Sequence, residues 1–193
     1  MYKHAIAVSL CFAALIRASS QAPATATPVP APDWRAKVSD YMPLLGHRNW
    51  ILIVDSAYPL QASAGIETID TNTNQIEVLR HVLFAIDRSI HVRPVISMDA
   101  ELPFLDEIDA PGVLNYRREI GDVLHDYPIE SVPHDKVIAN IEEAARHFNI
   151  LVLKTNMTIP YTSVFIRLDC KYWGADAEKR LRDKMAAAAQ SAH

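Results

Sequence analysis

The sequence predicts a single α/β domain with a largely parallel central sheet flanked by helices. Three observations carry this reading. Short apolar runs of strand length alternate with longer segments whose apolar residues recur at helical spacing. The run Trp50 to Asp55 (WILIVD) is continuously apolar rather than alternating, as in a strand covered on both faces. Half of the 193 residues are hydrophobic, enough to fill the core of one ordinary domain.

The elements follow in order. Trp34 to Leu45 reads as a short helix with one apolar side, and Trp50 to Asp55 as the first strand. Ile76, Leu79, Val82, Leu83 and Ile86 mark a helix over Asn74 to Ser89. Val92 to Met98 is the second strand. Its Pro94 cannot donate to a ladder, which points to a sheet edge or a strand start. Pro111 to His125 is helical with proline in the first turn. Ile129 to Val132 is a short strand and Pro133 to Phe148 a further helix. Ile150 to Thr155 and Val164 to Leu168 are strands joined by a loop containing Pro160. Ala175 to Gln190 is a charged, alanine-rich terminal helix. No internal repeat is present.

The beginning of the chain reads as an export signal. Lys3 and His4 form a short basic start, Ala5 to Ile16 is small and apolar, and Ala18-Ser19-Ser20 offers a cleavage-compatible sequence. The 12-residue run is too short for a hydrocarbon core of roughly 30 Å. Cys11 lies inside the run, not at its end, which argues against lipid attachment there. Residues 1–20 are therefore expected to be a signal peptide, and the protein to be periplasmic or secreted. Gln21 to Asp33 carries four prolines among small residues and reads as an extended linker. The folded domain, with its helical extension, is expected over 34–193. Loss of Lys3 and Arg17 with the signal takes the formal charge from −4 to −6. Cys170 is then the single cysteine. It cannot form an internal disulfide, and without a motif around it reads as a small core residue.

A negative chain with no basic field is a poor partner for nucleic acid. There is no G-x-G-x-x-G, no phosphate-binding loop, no G-x-S-x-G elbow and no zinc-spaced His/Cys cluster. None of these common cofactor or metal signatures is present.

Candidate chemistry concentrates around the first buried strand. Gly46-His47-Arg48-Asn49 leads into it and Asp55 ends it, and ligands of open α/β sheets bind at strand carboxyl ends. Histidine is the side chain suited to move protons near neutral pH. Spacing alone leaves His47 equally readable as a helix-end residue and Asp55 as a turn former. His134 opens a helix, and alone reads as an exposed helix-start residue. Tyr161, Thr162 and Ser163 place consecutive hydroxyls between two strands, where a plain turn is the alternative. Asp99 and Glu101, after the second strand, are a further acidic candidate. Asp106, Glu107 and Asp109 read as a solvated face.

Leu45-Gly46-His47, eight residues before the aspartate of IVDSAYP, resembles the opening of the RbsD/FucU family of D-ribose pyranases and L-fucose mutarotases. The apolar strand ending at Thr155, followed by Pro160-Tyr161 and another apolar strand, is similar to that family's close. The resemblance spans Tyr41 to Leu168. It implies an isomerase interconverting cyclic forms of a free ribose- or fucose-like monosaccharide, without a cofactor. By the same resemblance His47 is the catalytic proton donor, Asp55 the sugar-binding acid and His134 a further sugar contact. Tyr161, Thr162 and Ser163 form the substrate-binding loop, which in the family is contributed across a subunit interface of ring-shaped, typically decameric, oligomers. The chain has Ser163 where the family usually has Asn, and Thr155-Asn156-Met157 where it has Thr-Gly-Glu. The alternatives the sequence leaves open are an exported monosaccharide-binding protein of the same fold without catalysis and, after it, a purely structural oligomer-forming domain.

Overall fold

The computed structural model describes residues 33–191. The expected signal peptide, and all of the linker but Asp33, lie outside the described residues. Asp33 caps the first helix, its carboxylate accepting from the Arg35 N–H at 3.0 Å.

The elements are α1 (Trp34–Tyr41), β1 (Trp50–Val54), β2 (Ile66–Asp70), α2 (Gln75–Arg88) and β3 (Val92–Asp99). After a 3₁₀ turn at Leu102–Phe104 come α3 (Val113–Leu124), β4 (Ile129–Val132), α4 (His134–Ala144), β5 (Ile150–Lys154), β6 (Val164–Cys170) and α5 (Ala175–Ser191). The six strands form one sheet in the order β2-β5-β1-β6-β3-β4. The largely parallel sheet is observed: β6 alone runs antiparallel, between β1 and β3.

The central position of β1 explains its unbroken apolar run. It pairs with β5 on one side and β6 on the other, and its two faces feed different cores. Ile51 and Ile53 pack with α1, α2 and α3. Leu52 and Val54 pack with Val137 and Ile141 of α4 and with Phe165 of β6. A side-chain period of two places successive residues on opposite faces. Phe165 is fully buried, so its truncation to alanine costs about 3–5 kcal/mol.

Several boundaries differ from the sequence reading. Strand β2 was not expected: it is an outer strand of mixed polarity (IETID) in which Ile69 is the one buried residue. Its register against β5 holds it, rather than any apolar run of its own. α1 stops at Tyr41, shorter than the expected Trp34 to Leu45: Met42 still closes a bond to the Val38 carbonyl, and Pro43, which has no N–H, cannot continue the ladder. α3 begins after Pro111 because Gly112, at φ +92°, breaks the helical path. Pro94 lies near the start of β3, in a part of the strand that is paired on one side only. It pairs with Leu168 of β6, and the other side of β3 is free until pairing with β4 starts at Ile96. The missing N–H therefore breaks no bond to β4.

This topology brings the carboxyl ends of β1, β3, β4 and β5 to one rim of the sheet. The rim carries Asp55, Asp99, His134 and Thr155.

Candidate active site

The rim holds a cavity of about 610 Å³ lined by Asp55, Tyr58, His134, Ile138, Ile159 and Tyr161 among others. His134 is the first residue of α4, and two acids from the end of β3 fix it. Its backbone N–H donates to both carboxylate oxygens of Glu101, at 3.1 and 3.2 Å. A carboxylate at a helix start also meets the positive end of the helix dipole. Its ring Nδ1 lies 3.0 Å from Oδ1 of Asp99. The imidazole is 37 % exposed while the Asp99 side chain is wholly buried.

Asp99 is an expensive residue to bury. Its second oxygen, Oδ2, has no hydrogen-bond partner among the described residues, and a buried charge half satisfied costs stability. Desolvation pushes its carboxyl above the ordinary range, and the His134 hydrogen bond pulls it back. Tyr58, against the same cavity, is pushed up to about 12, chiefly by burial and then by the nearby acids Glu142, Asp55 and Asp99. Its hydroxyl stays protonated at physiological pH and donates to Oε1 of Gln61 at 3.3 Å.

Asp55 sits just past β1. Its Oδ1 accepts from the Ala57 N–H at 2.8 Å, an Asx turn that sets the carboxylate's direction. Its Oδ2 is reached, at 3.4 Å, by the Ser163 hydroxyl. Tyr161 stands edge to face against His134, with ring centroids 5.4 Å apart. It adopts φ +56°, a left-handed conformation uncommon for a non-glycine residue. Deep bonds maintain this loop. The Thr162 carbonyl accepts from the Tyr116 hydroxyl at 2.7 Å and from the Gln75 amide at 2.6 Å, both donors being buried.

The structure thus brings together Asp55, His134 and Tyr161, with Ser163 behind Asp55. Thr162 is corrected: it is fully buried, its hydroxyl donates to the Ile159 carbonyl, and it anchors the loop instead of lining the cavity. His47 is apart from the others. It precedes β1, whereas Asp55 follows it, so about 16 Å of strand separates them. There Nδ1 of His47 lies 3.0 Å from Oδ1 of Asp169, whose Oδ2 accepts from Arg93 at 2.7 and 3.0 Å. His47, Arg93 and Asp169 line a second cavity, of about 640 Å³, with Trp173 and the half-buried Cys170. Cys170 is therefore not a core residue. Asp99 and Glu101 carried a sequence signal, being acids just after a strand, but their partner His134 lies more than thirty residues on. Tyr58 carried none.

No protein-family model matches the chain, and a search of curated proteins finds no match. Solved structures do resemble it. It is similar to RbsD of Bacillus subtilis, complexed with D-ribose, at 12 % identity and a TM-score of 0.48, over 68 % of this chain and 90 % of that one. It is similar to the fucose mutarotase of Streptococcus pneumoniae, in complex with L-fucose, at 18 % identity and a TM-score of 0.44, over 71 % of this chain and 91 % of that one. FucU of Bifidobacterium longum gives 15 % identity and a TM-score of 0.44, over 68 % and 92 % of the two chains.

Proposed function

We propose that the protein is a mutarotase- or pyranase-type isomerase that opens and recloses the ring of a free monosaccharide. The observation that carries this is the His134 imidazole, backed by buried Asp99, at a cavity that also holds the Asp55 carboxylate. Ring opening needs one proton removed from the anomeric hydroxyl and one delivered to the ring oxygen. As the C1–O5 bond breaks, its electron pair goes to O5 while a lone pair of O1 forms the carbonyl. Reclosure on the other face reverses these steps. A positioned imidazole can take the first proton, and a carboxylate with two acceptor oxygens can grip sugar hydroxyls.

The lining favours a neutral sugar. Among the described lining residues there is a carboxylate and no lysine or arginine, so a sugar phosphate would meet repulsion without a counter-charge. His47 enters this reading from a second copy of the chain. It lies too far along β1 to reach the Asp55 of its own chain, and half of its side chain is exposed. In a homo-oligomer it would face a neighbour's cavity and protonate the ring oxygen. The export signal read in residues 1–20 would place this activity outside the cytoplasm.

Saturation-transfer NMR on a panel of aldoses tests the proposal. The expected result is anomer or ring-form exchange faster than in buffer for at least one free sugar. Binding without accelerated exchange would leave the monosaccharide-binding protein as the better reading, and neither binding nor exchange would remove both.

A further inference from the structure

We infer that Asp99 is the positioning residue of this site, holding His134 as the tautomer that carries its proton on Nδ1 and leaves Nε2 free as the base. The inference rests on the acid–base reading above and assigns a residue that the sequence left as an unplaced acid.

The geometry allows few other roles for Asp99. The side chain is wholly buried, so it cannot touch a sugar in the cavity. It is the last residue of β3, paired to β4 through Asp99↔Val132, which fixes its backbone two residues from His134. One oxygen meets Nδ1 at 3.0 Å and the other meets nothing among the described residues. An ionised carboxylate can only accept, so the hydrogen between them belongs to Nδ1. Nε2 of a neutral ring is then an acceptor, able to take the proton of the anomeric hydroxyl. When it does, the positive charge forms 3.0 Å from a carboxylate in a poorly solvated place, where the attraction is stronger than in water. Glu101 fixes the backbone of the same residue through its N–H. The two acids thus divide the work, one orienting the helix start and the other the ring. Asp55, Tyr58 and Tyr161 are the other ionisable groups around the cavity, and none of them bonds to Nδ1 among the described residues.

The cost of burying Asp99 points the same way. A half-satisfied buried carboxylate is poor structural cement, whereas fixing a catalytic ring through its second nitrogen is a role that needs a carboxylate.

Nitrogen-15 NMR of the His134 ring in the full chain tests this, with His134→Gln identifying its signals. The wild type is expected to show the Nδ1–H tautomer at neutral pH. Asp99→Asn is expected to shift the ring toward the Nε2–H form and to lower kcat on the order of 10–100-fold with little change in KM. Asp99→Glu, which keeps the carboxylate, should recover part of that loss. An Nε2–H ring in the wild type would overturn the inference. So would an Asp99→Asn variant with unchanged tautomer and unchanged kcat. The wild-type spectrum decides even if a variant fails to fold. It also decides if no sugar is turned over, an outcome that would count against the functional reading and not against the tautomer.

Discussion

The two rims of the sheet carry the same pair, a histidine Nδ1 at 3.0 Å from an aspartate, in opposite surroundings. At the rim of strand carboxyl ends, Asp99 is wholly buried, faces no arginine or lysine in hydrogen-bond contact, and keeps one oxygen unpaired. At the other rim Asp169 is 22 % exposed and shared between His47 and Arg93. The acids respond in opposite directions. Desolvation raises Asp99 above the ordinary carboxyl range. Desolvation also pushes Asp169 up, but the Arg93 hydrogen bond, the Cys170 N–H and the charges of Arg93 and His47 bring it below that range. The same pair is thus a costly, fixed device at one rim and a compensated surface cluster at the other.

The largest contrast is expected in rate. His134→Ala removes the base and should slow sugar exchange by on the order of 10²–10⁴-fold, and it should also cost stability, because buried Asp99 loses its one hydrogen-bond partner among the described residues. Exchange NMR together with circular dichroism checks both halves; a loss below tenfold would place the base elsewhere. Next in size is Asp55→Asn. A carboxylate that grips hydroxyls acts in ground and transition states alike, so kcat/KM should fall and sugar binding weaken by roughly 10–100-fold. Calorimetric titration with the turned-over sugar reads the binding term, and unchanged affinity would take Asp55 out of the site.

Stability gives a smaller contrast of opposite sign. An acid whose folded pKa lies above its unfolded one costs stability at neutral pH. That cost is relieved as pH falls through the folded value toward 3.8. Asp99→Asn should therefore raise urea-unfolding stability at pH 7 by about 1 kcal/mol. The gain should shrink as pH falls toward 4. Destabilisation at pH 7 would mean that the carboxylate holds the fold instead of the ring. The smallest effect belongs to the other rim. Asp169, with its folded pKa depressed, contributes stability above its unfolded value that is lost as pH falls through the folded one. Arg93→Ala should cost no more than about 1 kcal/mol, and less in high salt. A salt-independent loss of several kcal/mol would make this cluster part of the core.

The sequence showed the architecture because burial leaves a pattern. β1 is apolar throughout because β5 and β6 flank it, and α2 shows its period because Leu79, Val82 and Ile86 all face one core. β2 escaped because an outer strand with one buried residue needs little apolar sequence. Of the residues that line the rim cavity, Asp55, His134 and Tyr161 were singled out in the sequence, through strand ends and resemblance. Thr162 was misread because a hydroxyl in a loop gives no sign of whether it faces inward; here Gln75 and Tyr116, far away in sequence, draw its segment into the core. The Asp99–His134 pair was illegible because the pairing of β3 with β4 creates it, and no local spacing encodes that register.

The two rims meet only where a second copy of the chain brings one against the other. If one chain supplies His134 and a second supplies His47, neither His134→Ala nor His47→Ala protein alone should exchange the anomers of the turned-over sugar. Unfolding the two together and refolding them as a 1:1 mixture should then restore about a quarter of the wild-type rate, because one site in four joins two intact histidines. A mixture as inactive as its parents, or a His47→Ala protein that exchanges sugar at the wild-type rate on its own, would contradict the account and leave His47 as part of a surface ion cluster.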